Sequence, residues 1–327
     1  VVATPCPLIL AVPIAIMSGI SRCAKRGILV KDGATLEALA EAQVLFLDKT
    51  GTLTTGHATV QSVESSGVHT KEQLLHLAAS LAQASPHPIS AAIVEAASSN
   101  TSPLSTPEQV VEVPGAGLSG MVDGHRVTLG AHHFVNASQP TQAWDDGMLR
   151  LMDYQDSSGS FIGVDSVMAG AVLFADPLRI EAPNALRRLR QAGIRKIIML
   201  TGDRAETAQM IGLAAGVDEV HAKLDPAAKV AAVQLGRQNG KTLMVGDGIN
   251  DAPALAAADV GIALGASGAT ASSEAAGVVL LVDRLDRVAE AMQIASRSRL
   301  IARQGVLVGM GLSLLAMFAA ALGYLPP

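Results

Sequence analysis

Aromatic residues are scarce, with 5 Phe, 2 Tyr and 1 Trp among 327 residues. A stacking platform for nucleic-acid bases is therefore absent, and charge agrees: 24 Lys and Arg against 29 Asp and Glu leave a net −5 and no basic face for phosphates. No nucleic-acid partner is expected. Cysteine is almost missing as well. Cys6 and Cys23 cannot build a disulfide framework, zinc-finger spacing is absent, and a reducing compartment suits the chain. Charged residues make up only 16% against a hydrophobic share of 49%, and mean hydropathy is +0.36. That composition excludes a disordered chain and points to membrane-embedded sequence. No basic n-region precedes the apolar run that opens at Val1, so a signal peptide is a poor reading and the chain reads as a fragment. Its length allows about two domains at roughly 150 residues each.

What is present begins with two uncharged runs, Val1–Ile20 and Gly305–Leu325, each close to the ~20 residues that cross a bilayer. Pro5, Pro7 and Pro13 predict a broken helix in the first run, and a break at membrane depth suggests an ion site. Arg22, Lys25, Arg26 and Lys31 follow the first run, and Arg297, Arg299 and Arg303 precede the second. The positive-inside rule then puts the middle of the chain in the cytoplasm and makes the protein an integral membrane protein in contact with lipid. Buried core helices are the alternative reading of these runs.

The middle alternates strand and helix patterns. Gln43–Leu47, Ile194–Leu200 and Lys241–Val245 are apolar runs that end in Gly/Asp-rich turns, as buried parallel strands do when a site lies at their carboxyl ends. Ile180–Ala192, Arg204–Ala215 and Pro226–Gln238 have helical spacing. The stretch 66–170 differs, with helical runs at Lys71–Gln83 and Ile89–Ala97, a Ser/Pro-rich link, and short alternating segments at Val110–Val113, Met121–Leu129 and Ser160–Val167. It reads as an insert. The expected organisation is a membrane helix with a cytosolic extension (1–30), a first part of an α/β domain (31–65), the insert (66–170), the second part of the α/β domain (171–290), and a linker helix running into a membrane helix (291–327).

Asp48-Lys49-Thr50-Gly51-Thr52 follows directly on a strand, which puts a carboxylate able to act as a nucleophile at a strand tip. Two later strands end in Thr201-Gly202-Asp203 and in Gly246-Asp247-Gly248-Ile249-Asn250-Asp251, so hydroxyl, carboxylates and amides converge on one sheet edge. Clustered carboxylates need a cation, and hard oxygen ligands beside phosphate point to Mg²⁺. Lys229, which follows Asp225-Pro226 in the first turn of a helix, supplies positive charge to a transferring phosphoryl group.

These segments, DKTGTLTTG, TGD and GDGINDAPAL, resemble the signature segments of P-type ATPases. TPCP in the first apolar run and Ser85-Pro86-His87-Pro88-Ile89 in the insert resemble the heavy-metal-transporting branch, and the likeness covers nearly the whole chain. The resemblance implies an α/β fold: a haloacid-dehalogenase-like, doubly wound parallel sheet forming a phosphorylation domain, an inserted α+β nucleotide-binding domain, and partial transmembrane helices at both ends. It also implies ATP and Mg²⁺ as cofactors and a heavy-metal cation as cargo. Asp48 would be the aspartyl-phosphate nucleophile, with the Thr50 carbonyl and Asp247 holding Mg²⁺. Thr201 and Lys229 would contact the phosphoryl group, Asn250 and Asp251 would order the site, and Asp176-Pro-Leu-Arg179 and Asp203 match segments at the hinge and nucleotide face. His87-Pro88 would meet adenine, with Gly115, Gly117 and Gly130 beside the nucleotide; relatives often carry acidic residues where Ala82 and Pro86 stand here. Related phosphatases have a second Asp two positions after the nucleophile, and this chain has Thr50 there. Losing that acid/base slows water attack by about 10²–10⁴ and favours a long-lived phosphoenzyme. No Thr-Gly-Glu segment of an actuator domain is present. A membrane-tethered phosphatase of the same fold and a non-enzymatic nucleotide-binding module are the alternatives.

Cys6, between Pro5 and Pro7, is the one thiol in the first apolar run and the expected contact to the transported ion; a thiolate favours Cu(I) or Zn over Na⁺ or Ca²⁺. Cys23 reads as incidental. Gly236-Arg-Gln-Asn-Gly240-Lys241-Thr242 resembles a phosphate-binding Walker loop but has three residues between its glycines where four are required, and it leads into a strand. His132-His133 reads as a solvated loop.

Overall fold

The computed structural model describes residues 6–98, 103–136, 143–155, 158–247, 251–265 and 274–322. Two compact units emerge: residues 1–53 with 178–327, and residues 54–177.

The first unit carries a seven-stranded sheet. In chain order its strands are β1 (Ile28–Val30), β2 (Ala42–Asp48), β9 (Lys196–Leu200), β10 (Glu219–His221), β11 (Lys241–Gly246), β12 (Val260–Leu264) and β13 (Val278–Leu280). Their spatial order is β1-β13-β12-β11-β2-β9-β10, and every pairing is parallel except that of β1 with β13. The central strands are apolar on both faces, because helices cover both. Leu45 and Leu47 of β2 point to one side with Ile197, Met199, Leu243 and Val245. There they meet α2 (Gly33–Glu41), α7 (Ala182–Gln191), α8 (Ala205–Ala215) and the first half of α11 (Asp286–Ala321). Val44 and Phe46 point to the other side, against α9 (Pro226–Gly236) and α10 (Ala252–Ala257). Such a two-sided layer is the expected doubly wound fold. Each fully buried Leu in it contributes about 1.5–3 kcal/mol of transfer free energy. The expected strands and helices are all present within a few residues of their sequence bounds.

Cys23 is wholly buried in the larger of these two clusters, with Ile28, Leu36 and Leu280. It is a core residue rather than an incidental one; sequence position beside basic residues hid this, because Cys23 is on the inner face of α1 while Arg22 and Ala24 on either side are exposed. The first apolar run also departs from expectation. Its helix, α1 (Cys6–Ala24), continues through Pro13, and Pro7 sits at its second position, where a missing N–H costs nothing. The helix is therefore unbroken from Cys6 onward, and Pro5 lies outside the described residues. The second apolar run belongs to one 36-residue helix, α11. Its first half buries Val288, Ala289, Met292 and Ala295, whereas Leu307, Leu312, Leu315 and Phe318 are exposed. It is long and apolar enough to cross a membrane by length and composition.

The second unit is an α+β layer. Strands β3 (Thr59–Ser65), β4 (Glu108–Val113), β5 (Gly117–Val122), β6 (His125–Gly130), β7 (Ser158–Val164) and β8 (Val167–Ala175) form an antiparallel sheet in the order β3-β8-β7-β6-β5-β4. Helices α3 (Lys71–Ala82) and α4 (Pro88–Ala97) bury Leu74, Leu81 and Ile93 against it. Helix α6 (Ala143–Gln155) packs Met148 and Met152 against Phe161 and Leu173 of the sheet. The unit spans Thr54–Pro177, wider than the 66–170 read from sequence, because β3 pairs with β8 from Thr59↔Ala175 onward. The predicted segments Met121–Leu129 and Ser160–Val167 each divide into hairpin strands at tight turns. The pair His132-His133 opens a short helix, α5 (His132–Val135), instead of a loop. His132 stacks edge-on against Phe161 with ring centroids 4.9 Å apart, and His133 is exposed.

Candidate active site

The site lies within the first unit, at the carboxyl ends of three adjacent parallel strands. Asp48 ends β2 and pairs in register with Leu200, the last residue of β9, while Leu47 pairs with Val245 of β11. The residues that follow β9 and β11, Thr201 and Asp247, therefore flank Asp48. Lys229 arrives from α9, whose start is written in the sequence: Asp225 caps it by accepting from Ala228 N at 2.7 Å, and Pro226 takes the first helical position. One turn in, Lys229 Nζ donates to Asp48 Oδ1 at 2.6 Å and to Asp251 Oδ1 at 2.9 Å.

Burial pushes the Asp48 carboxyl up to about 6, the Asp251 and Asp247 carboxylates push the same way, and Lys229 pulls against them. For Lys229, burial favours the neutral amine, yet the charges of Asp48 and Asp251 outweigh it and raise its pKa above the usual lysine range. The Lys229 ammonium thus bonds two carboxylates, and the charge of Asp247 acts on Asp48 as well, which leaves excess negative charge in a buried place. A hard divalent cation answers that excess. Among the described residues no three acidic or His/Cys side chains converge as a complete cage. Mg²⁺ suits such a site, since it binds through one or two carboxylates and keeps its other positions for water and phosphate.

The loop after Asp48 is held from behind. Gly51 has φ +69°, a backbone conformation that favours glycine, and a Cβ there would press on Asp247 Oδ2 at 3.1 Å. Arg179, 6% exposed, donates to the Gly51 carbonyl at 2.9 Å and to both carboxylate oxygens of Asp283 at 2.8 Å. Thr201 is buried, and its Oγ1 accepts from Asp203 N at 3.1 Å; the Asp203 carboxylate pairs with Lys49. Thr50 is exposed at the tip, and Asn250 lies outside the described residues. In the second unit Asp176 ties the loop Thr54–Gly56, accepting from Thr54 Oγ1 at 2.6 Å and Gly56 N at 2.9 Å.

A second group of predicted residues meets in the second unit. His87, Gly115, Gly117 and Gly130 all line one cavity of about 260 Å³. His87 caps α4 with Nδ1 accepting from Ile89 N at 3.2 Å, and Pro88 begins the helix. Gly117 and Gly130 pair across β5 and β6; a Cβ on Gly117 would fall 2.3 Å from the Leu129 carbonyl oxygen and one on Gly130 2.2 Å from that of Ala116. The sequence reading named Ser85 only as part of a motif and missed Glu112 and Ser160 of this cavity, as well as the Asp283 partner of Arg179. A lone Glu on an exposed strand and an Asp far along the chain give no local signal.

The residues from 42 to 259 match a family model described as haloacid dehalogenase-like hydrolase. The chain belongs to this family. Within it, the chain is 37% identical over 307 residues to the copper-transporting ATPase 2 of Rhizobium meliloti (strain 1021), covering 94% of this chain and 37% of that protein. It is 34% identical over 327 residues to the cadmium, zinc and cobalt-transporting ATPase of Bacillus subtilis (strain 168), covering 99% and 45%. Among solved structures it resembles a zinc-transporting PIB-type ATPase, with TM-score 0.85, 32% identity, and 97% and 51% of the two chains covered. The chain thus spans less than half the length of these curated relatives.

Proposed function

We propose that the chain is the catalytic core of an ATP-driven heavy-metal cation pump that works through an aspartyl-phosphate at Asp48, the whole protein being integral to a membrane with its catalytic units in the cytoplasm. The observation that carries the reading is the buried Asp48–Lys229–Asp251 cluster at the sheet edge, with Thr50 two positions beyond Asp48, where a hydrolase would need an acid/base. In the reaction an Asp48 carboxylate oxygen attacks the γ-phosphorus of ATP, the bond to the β,γ-bridging oxygen breaks, and ADP leaves with the electron pair. Lys229 and Thr201 offset charge on the transferring oxygens. Mg²⁺, held by Asp48, Asp247 and the Thr50 carbonyl, would neutralise phosphate charge. Asn250 and Asp251 order the site, Asp203 lies on its nucleotide side, and adenine docks against His87, Pro88 and the Gly115, Gly117 and Gly130 backbone. Cys6, the first residue of α1, is proposed as a ligand of the transported ion; the relatives named above transport copper or cadmium, zinc and cobalt, and thiolate chemistry suits such soft cations.

Labelling with γ-³²P-ATP tests this. The parent chain should acquire an acid-stable, hydroxylamine-sensitive label, and Asp48→Asn should lose it with ATP binding nearly intact, because an amide of the same shape cannot attack phosphorus. Label that survives in Asp48→Asn would overturn the assignment. In the full-length protein, metal-stimulated turnover unchanged in Cys6→Ser would remove Cys6 from the ion path.

A further inference from the structure

We propose that Glu112 selects the base of the nucleotide, accepting a hydrogen bond from the exocyclic amine of adenine and repelling the carbonyl oxygen that guanine carries at the same place. The inference rests on the reading of the His87 cavity as a base site. Among the described residues lining that cavity, Glu112 alone carries a formal charge, and none is Phe, Tyr or Trp. A carboxylate with no cation among those lining residues repels a triphosphate, so a nucleotide enters base first. Without an aromatic face, discrimination falls to hydrogen bonds.

Those bonds are arranged in advance. Ser85 Oγ donates to Glu112 Oε1 at 2.9 Å and accepts from His87 N at 3.2 Å, so one hydroxyl ties the β4 carboxylate to the turn that carries the histidine. His87 Nδ1 accepts from Ile89 N at 3.2 Å, which in a neutral ring leaves the proton on Nε2 as a donor. One donor and one acceptor therefore border the same space. On its N6/N7 edge adenine presents the complement, an amine beside a ring-nitrogen acceptor; on that same edge guanine presents O6 beside N7, two acceptors, one of which would face Glu112. Such a mismatch is costly because it leaves an acceptor unpaired at a site built to receive a donor.

The test is calorimetric titration of the full chain in detergent with Mg-ATP and Mg-GTP, for the parent, Glu112→Gln, Ser85→Ala and His87→Gln. A preference for ATP of about 10–100-fold is expected in the parent, the range of one good base contact. Glu112→Gln should bring the two affinities to within about threefold, because an amide turns either a donor or an acceptor to the base. Ser85→Ala should fall between. A parent-like ratio in Glu112→Gln, with binding lost in His87→Gln, would overturn the role of Glu112 and leave the base site standing. A parent that binds neither nucleotide would overturn both. Glu112 lies exposed on β4, so unchanged thermal melting of Glu112→Gln separates selectivity from misfolding.

Discussion

At the scale of single residues, the least expected actor is Arg179. It is buried, and its guanidinium spans from the Gly51 carbonyl to the Asp283 carboxylate, which fixes the loop that follows Asp48. A lysine keeps the charge but loses the second guanidinium nitrogen, Nη1, which donates to the Asp283 main-chain carbonyl at 3.1 Å while Nη2 holds Gly51 and the Asp283 carboxylate. Arg179→Lys should slow phosphoenzyme formation by about 10–100-fold, since a displacement of about 1 Å at a reacting group costs on that order. ATP affinity should stay near the parent value. Rapid-quench labelling beside equilibrium ATP binding checks both halves, and equal loss of binding and chemistry would contradict a positioning role. The places of Asp48 at a strand tip and Lys229 in the first turn of a helix were legible in the sequence, because strand-tip and helix-start signals are local. Asp283 was not, because it lies 104 residues from Arg179 along the chain.

At the scale of elements, β11 and β12 are locked by one carboxylate at the end opposite the site. Asp259 accepts from Thr242 N and Oγ1, each at 2.9 Å, from Arg237 at 2.9 Å and from Lys241 at 3.3 Å. Burial opposes its ionisation, but these donors win and hold its pKa below the usual aspartate value. The sign follows: the unfolded chain takes up a proton near pH 4 while folded Asp259 resists it. The contribution is full above about pH 4 and is lost as pH falls through the lower folded pKa. Asp259→Ala should cost about 1.5–3 kcal/mol at neutral pH, the range for hydrogen bonds to a charged group. Denaturant melts at neutral pH and near pH 3 should show the difference shrinking at the acid end. The segment that resembles a phosphate loop, Gly236 to Thr242, is thereby explained as a helix-to-strand turn whose Lys241 and Thr242 serve this clamp.

At the scale of the whole molecule, α11 does two jobs along one helix. Its first half closes the core of the first unit through Val288, Ala289, Ala291, Met292 and Ala295; its second half turns Leu307, Leu312, Leu315 and Phe318 outward. Ending the chain after Arg303 should leave the thermal transition of the first unit in place and reduce flotation with liposomes. Ending it after Arg284 should abolish that transition, because several side chains worth about 1.5–3 kcal/mol each when large and apolar are removed together from the core. Circular dichroism melts and flotation gradients read the two outcomes; survival of the shorter chain would mean that α11 is dispensable to the fold.

The sequence by itself determined the parallel sheet, its order of chemistry along the chain, the insert and the two apolar ends. Each of these rests on local periodicity, on turns rich in Gly and Asp, or on charge counts, all of which act between near neighbours. Tertiary structure alone decided the rest. The boundary of the second unit moved to Thr54 and Pro177 because β3 finds its partner in β8, more than a hundred residues away. Cys23 became core, and Pro13 stayed inside a continuous helix. Glu112 met Ser85 and His87 because β4 folds back beside the start of α4. Pairings of that kind depend on which distant surfaces bury each other, a choice made by packing of the whole chain and carried by no single stretch of it.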